Sequence, residues 1–108
     1  MDMGVKRFEV YFIDLDPTVG SEIKKINPCV ILSPDEVNRS LNTVIVAPLT
    51  STIRNYPTRI NCFIDGKNGQ VVLDQLRAVD KIRLSRKLGK LDSKASSLIL
   101  ETLQELFS

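Results

Sequence analysis

The chain contains no histidine, and that single absence removes most of the common hydrolytic machinery. Without imidazole there is no Ser-His or Cys-His nucleophile system. A zinc site would have almost no ligands to draw on, because there is also no Cys-x-x-Cys pair. The only cysteines, Cys29 and Cys62, stand far apart inside apolar stretches. They read as two buried thiols of a reducing compartment rather than as a disulfide. No apolar run approaches the ~20 residues of a membrane helix. The opening residues, Met1 to Arg7, have no apolar core of the kind a secretory signal needs, so a cytoplasmic location is expected.

What is present fits one domain. At 108 residues, 43% of them hydrophobic, the chain is long enough for one core and too apolar for a disordered segment. The net charge of +2 is unevenly spread. Arg77, Lys81, Arg83, Arg86, Lys87 and Lys90 face only Asp80 between positions 77 and 90, so this stretch carries +5 and the remainder −3. Such asymmetry suits an anionic partner, either nucleic acid or an acidic protein segment, although a solvated basic face would look the same.

The hydrophobic pattern is mostly that of strands. Phe8 to Leu15 is aromatic and β-branched and reads as a strand ended by Asp16-Pro17. A polar loop is expected over Thr18 to Asn27. Cys29 to Leu32 and Thr43 to Ala47 read as buried strands stopped by Ser33-Pro34 and Pro48, and Leu49 to Pro57 as a loop. Thr58 to Ile64 alternates as a strand, and Asp65-Gly66-Lys67-Asn68-Gly69 carries two hairpin-turn signals. A returning strand begins at Gln70 and its pattern extends toward Val79, with a short edge strand at Leu88 to Leu91. From Asp92 the period changes to helical, with Ala95, Leu98, Ile99, Leu103, Leu106 and Phe107 on one face and Asp92 or Ser93 as the cap. Five to six strands closed by one C-terminal helix predict a mainly β fold, a small curved sheet or barrel.

Three polar elements lie beside these strands, where a rigid sheet can hold a site. Asp14 and Asp16 share a strand face and could form a metal pair, but no third or fourth oxygen ligand is evident and an Asp-Pro turn explains them as well. Thr50-Ser51-Thr52 offers hydroxyls that could hold a phosphate or cap a turn. Asp74-Gln75-Leu76-Arg77 could supply a base, a base-edge reader and a phosphate clamp, or stand exposed on a strand.

Taken in order, these elements resemble one family. Val10-Tyr11-Phe12-Ile13-Asp14-Leu15-Asp16-Pro17-Thr18-Val19-Gly20-Ser21-Glu22 is similar to the opening of the MazF/PemK (Kid) toxin endoribonucleases. Asn27-Pro28-Cys29-Val30-Ile31-Leu32-Ser33 resembles that family's next strand. Val46-Ala47-Pro48-Leu49-Thr50-Ser51 and Leu73-Asp74-Gln75-Leu76-Arg77-Ala78-Val79-Asp80-Lys81 resemble its two later signatures.

The resemblance implies an SH3-like barrel, a homodimer, and the toxin half of a type II toxin–antitoxin system. It implies cleavage of single-stranded RNA without a cofactor or metal ion. The ribose 2′-hydroxyl attacks the adjacent phosphate, leaving a 2′,3′-cyclic phosphate and a 5′-hydroxyl. It also implies a cognate antitoxin, and through it an indirect association with operator DNA. Carried over residue by residue, Thr50, Asp74 and Asn27 stand at the catalytic positions. Glu22, Lys24, Lys25, Ser51, Arg54, Gln75 and Arg77 are the expected RNA-binding residues.

The chain departs from the family at three points. Asn27 stands before Pro28 where MazF-like members have Arg, and Val72 stands where PemK-like members have the Arg that accompanies the base. Phe8-Glu9 replaces the usual Gly-Asp, a change expected to act on packing. Both versions of the family's cationic group are thus missing. The alternatives are a cation relocated to Lys24, Lys25, Arg54 or Arg77, a weakened member that mainly binds its antitoxin, or a plain nucleic-acid-binding barrel.

Overall fold

A computed structural model describes residues 4–15 and 26–108. The Asp16-Pro17 stop and the loop residues up to Lys25 lie outside the described residues. The strands are β1 Glu9–Asp14, β2 Ile26–Ile31, β3 Thr43–Thr50, β4 Arg59–Ile64, β5 Lys67–Val72, β6 Arg77–Asp80 and β7 Leu84–Lys90. Two helices, α1 Asp35–Ser40 and α2 Ser93–Leu106, complete the fold. The expectation of a mainly β barrel with a C-terminal helix holds, with seven strands among the described residues in place of five or six.

The strands form one antiparallel sheet in the order β4-β5-β3-β2-β1-β7, with β6 joined to β3 beside β5. Both faces of its centre are buried, which is why Cys29, Val30, Ile31 and Leu32 form an unbroken apolar run. Val30, Ala47, Val71 and Leu73 point to one core with Ala95 and Ile99 of α2. Cys29, Ile31, Val44 and Val46 point the other way, to a second core with Val5, Ile13 and Val79. The sheet curls until its end strands approach: a Cβ on Gly89 of β7 would lie 2.8 Å from Cδ1 of Ile64 in β4.

Several local expectations are corrected. Pro48 does not end β3, which continues to Thr50. Ile45 faces β2, where its carbonyl accepts from the Leu32 N–H and its N–H donates to Ser33 Oγ. Alternation therefore turns Pro48 to the opposite edge, between the last β6 pair at Val46 and the first β5 pair at Leu49, where no donor is required. The strand after the hairpin does not run unbroken to Val79. β5 ends at Val72, the 3-10 turn Leu73–Gln75 steps past the same gap, and β6 resumes pairing along β3. Ile26 and Asn27 belong to β2 rather than to a loop, and β7 is longer than the expected edge strand.

The hairpin turn is Asp65-Gly66, with φ of 53° and 75° as a type I′ turn demands, and Asn68-Gly69 lies within β5. Asp92 caps α2 by accepting from the Ala95 N–H at 2.8 Å. Leu98, Leu106 and Phe107 of the helical stripe stay exposed, while Ala95 and Ile99 carry the contact with the sheet.

The Phe8-Glu9 departure does act on packing. Phe8 has a φ of 71°, the left-handed region that a glycine enters freely and a bulky residue enters at a cost of about 1 kcal/mol or more. The Arg7 guanidinium lies 5.5 Å from its ring centre, a contact that offsets part of this. Glu9 is buried and holds Lys87 Nζ at 2.5 Å, while its other oxygen accepts from the Lys6 N–H.

Candidate functional site

A groove of about 430 Å³ opens where β2, β3 and the β4–β5 hairpin end together. Asn27, Pro28, Thr50 and Ser51 line one wall, Lys67 and Asn68 another, and Phe12, Leu49 and Leu88 an apolar floor. Cys29 opposes Pro48 across β2 and β3, so carrying that register two residues further sets Asn27 beside Thr50. On its other side Thr50 pairs with Gln70. Close approach here needs a glycine: a Cβ on Gly69 would lie 2.9 Å from the Thr50 carbonyl oxygen.

The expected site residues divide into three groups. Asn27, Thr50 and Ser51 share the groove. Asp74, Gln75, Arg77 and Arg54 do not line it. Asp74 is exposed on the 3-10 turn, and its Oδ1 accepts from the Thr58 hydroxyl at 3.0 Å. Gln75 is exposed beside it. Arg77 Nη1 donates to the Leu15 carbonyl at 3.3 Å, while Arg54 turns back onto the Ile53 carbonyl at 3.2 Å. Glu22, Lys24, Lys25 and Asp16 lie outside the described residues.

Two features of the groove went unread in the sequence. Lys67 is the one Lys or Arg among the described residues that line it. Its place beside a hairpin-turn signal gave no hint, since only the register brings the start of β5 into the groove. Arg86 looks like a solvent-facing member of the basic stretch, yet its guanidinium lies 5.0 Å from the ring centre of Phe12, on the floor of the groove. The rest of the basic stretch is largely committed to the fold. Lys81 donates to the Asn38 carbonyl, Arg83 to the Asp14 carbonyl at 3.1 Å, and Lys87 pairs with Glu9. Its +5 charge is therefore only partly available to a polyanion.

The Thr50 hydroxyl is oriented. Its Oγ1 accepts from the Thr52 N–H at 3.1 Å, which leaves its own hydrogen free to donate into the groove. An arrangement of one oriented hydroxyl, a second hydroxyl, a side-chain amide and a nearby ammonium can hold the oxygens of a phosphate.

Both thiols are buried and held in the protonated form. Burial pushes Cys29 up to about 12, with Arg77 pulling slightly the other way. Burial, helped by the Asp92 charge, pushes Cys62 up to about 11. Both lie above the ordinary value of 9.0, so the fold favours the protonated form. The stability this contributes is complete below that value and declines as pH rises through about 11 and 12. Iodoacetamide at mildly alkaline pH is expected to label neither cysteine in the folded chain and both after denaturation. Rapid labelling of the native chain would contradict this, and a mass spectrum read against time decides it.

Comparison with known proteins converges on one family. The family model described as PemK-like, MazF-like toxin of type II toxin–antitoxin system matches residues 6–107. Endoribonuclease EndoA of Bacillus subtilis (strain 168) is 37% identical over 108 residues, spanning 94% of this chain and 93% of its own. Endoribonuclease MazF of Staphylococcus saprophyticus is 38% identical over 96 residues, 83% of this chain and 80% of its own. A solved endoribonuclease in complex with its cognate antitoxin, from a mycobacterial species, superposes with a TM-score of 0.80 at 26% identity, covering 93% of this chain and 91% of that one.

Proposed function

The chain belongs to the PemK-like, MazF-like toxin family of type II toxin–antitoxin systems, and from that premise we propose how this endoribonuclease works. It cleaves single-stranded RNA in the cytoplasm by aligning the substrate's own 2′-hydroxyl with the adjacent phosphate. The nucleophile comes with the RNA, so a protein without histidine can promote the step by positioning and charge stabilisation. The observation that carries this reading is the shared groove of Asn27, Thr50 and Ser51. Thr50 donates to a phosphate oxygen as the phosphorane forms, Ser51 and Asn27 add hydrogen bonds, and Lys67 supplies the positive charge.

The partners follow from the same family. The chain pairs with a second copy and with a cognate antitoxin, as the mycobacterial relative does with its own. Through the antitoxin it associates indirectly with operator DNA.

The decisive experiment incubates a mixed single-stranded RNA with the purified chain, with and without EDTA, and identifies the fragment ends. Cyclic phosphate and 5′-hydroxyl ends that survive EDTA support the mechanism. Loss of cleavage in EDTA, or 5′-phosphate ends, would sink it.

Asn27 gives a second test. A neutral amide stabilises a developing oxyanion less than a charged donor does. Asn27→Arg is therefore expected to raise the single-turnover rate about tenfold, which corresponds to about 1.4 kcal/mol of barrier. A flat or lower rate, together with a large loss in Lys67→Ala, would show that Lys67 already fills the cation's role.

A further inference from the structure

The loop between Thr50 and Arg59 is fastened from behind by a residue that touches no groove. Gln70 of β5 is only 4% exposed and pairs with Thr50 on one side and Asn61 on the other. A glutamine amide offers two acceptor positions and two donor hydrogens, and all four are used. Its Oε1 accepts from the Arg54 N–H at 3.0 Å and from Arg59 Nη1 at 3.2 Å. Its Nε2 donates to the Arg54 carbonyl at 3.1 Å and to Asn61 Oδ1 at 2.8 Å. Binding both the N–H and the carbonyl of Arg54 gives the loop what a neighbouring strand would otherwise supply.

From there the contacts lead to the site. Arg59 Nη1 also donates to the Thr52 carbonyl at 3.0 Å, and its guanidinium lies 5.5 Å from the ring centre of Tyr56. The Thr52 N–H in turn donates to Thr50 Oγ1. We propose that Gln70 and Arg59 are positioning residues, a clamp of one buried and one half-buried side chain that holds the Thr52 peptide in place and, through it, the Thr50 hydroxyl. The proposal rests on the nuclease reading above and names two residues outside the groove's lining. Loss of the clamp leaves Thr52 free to move, and a displacement of about 1 Å at a reacting group can cost on the order of a hundredfold in rate.

A residue that merely supports the fold would behave differently, and a double-mutant cycle separates the two cases. Single-turnover cleavage of one defined RNA is measured for the wild type, Gln70→Ala, Thr50→Ala and the double variant. Affinity is measured on a 2′-O-methylated copy of that RNA, which cannot be cut. Amide exchange at Thr52 and Arg54 is followed by NMR without RNA.

The expected result is a ten- to hundredfold loss for Gln70→Ala in the presence of Thr50 and almost none in its absence. RNA affinity should stay within about twofold, with faster exchange at both amides. An equal loss in both backgrounds, or an unchanged rate despite faster exchange, overturns the positioning role. Should Gln70→Ala fail to fold, Arg59→Met takes its place in the cycle, since it keeps an unbranched stem and removes the nitrogen that donates to both Thr52 and Gln70. A wild-type chain that leaves the RNA intact overturns the nuclease reading and this one with it. The exchange data distinguish that failure from an inert clamp, because they need no substrate.

Discussion

Thr50→Ala is expected to lower the single-turnover cleavage rate by a factor on the order of ten to a thousand while leaving the fold in place. The fold should survive because the backbone of residue 50, not its side chain, pairs with Gln70, and because the Thr52 N–H that loses its acceptor belongs to an exposed turn. The rate should fall because the hydroxyl oxygen is held by the Thr52 N–H and its own hydrogen remains for a phosphate oxygen. An alanine offers nothing to the phosphorane oxygens, and nearby water would have to be reoriented to replace it. The thermal midpoint and the rate are to be measured on the same preparation. Unchanged cleavage by a folded variant would reduce Thr50 to a turn residue and move attention to Ser51.

The second large effect is on stability. Leu73 is fully buried at the junction where β5 gives way to the 3-10 turn, packed in the core with Ile60, Val71 and Ile99. Leu73→Ala removes three carbons from a site whose surroundings are strands and a helix, which collapse only partly. A loss of about 2–5 kcal/mol is expected, against a total of about 5–15 kcal/mol for a domain of this kind. Urea titration should show the midpoint moving well down with an unchanged slope. A loss below about 1 kcal/mol would mean that this end of the core is looser than its burial indicates. Cleavage by the fraction that remains folded should suffer less than in Thr50→Ala, because Leu73 does not line the groove.

Much of the framework was legible residue by residue. Alternation and turn chemistry were enough for β1, β4 and the hairpin, and Asp92 announced the helix by its capping chemistry. The interrupted run after Gln70 was not legible. Val71, Val72 and Leu73 read as continuous strand, and only the partner strand's proline reveals that pairing must lapse there. The helix Asp35–Ser40 escaped because it is short and carries a single buried side chain, Asn38. Of the site, Asn27, Thr50 and Ser51 were found through their neighbours in sequence. Gln70, Arg59, Lys67 and Arg86 were not, because each acts across strands. A buried glutamine beside a pair of valines was the one available signal, and its meaning depends on the register that sets it opposite Thr50.

The strand order bears on when the groove can exist during synthesis. β1 pairs with β7, and β3 pairs with β2, β5 and β6. Partners this distant along the chain cannot meet until the later one has been made, and closing such long loops is slow. Phe12 on the groove floor must wait for Leu88 to leave the ribosome, and Thr50 for Gly69 and Gln70. A chain still being synthesised therefore lacks the complete groove until most of its length has been made. That delay leaves the antitoxin most of the elongation time to be present before the first complete groove forms.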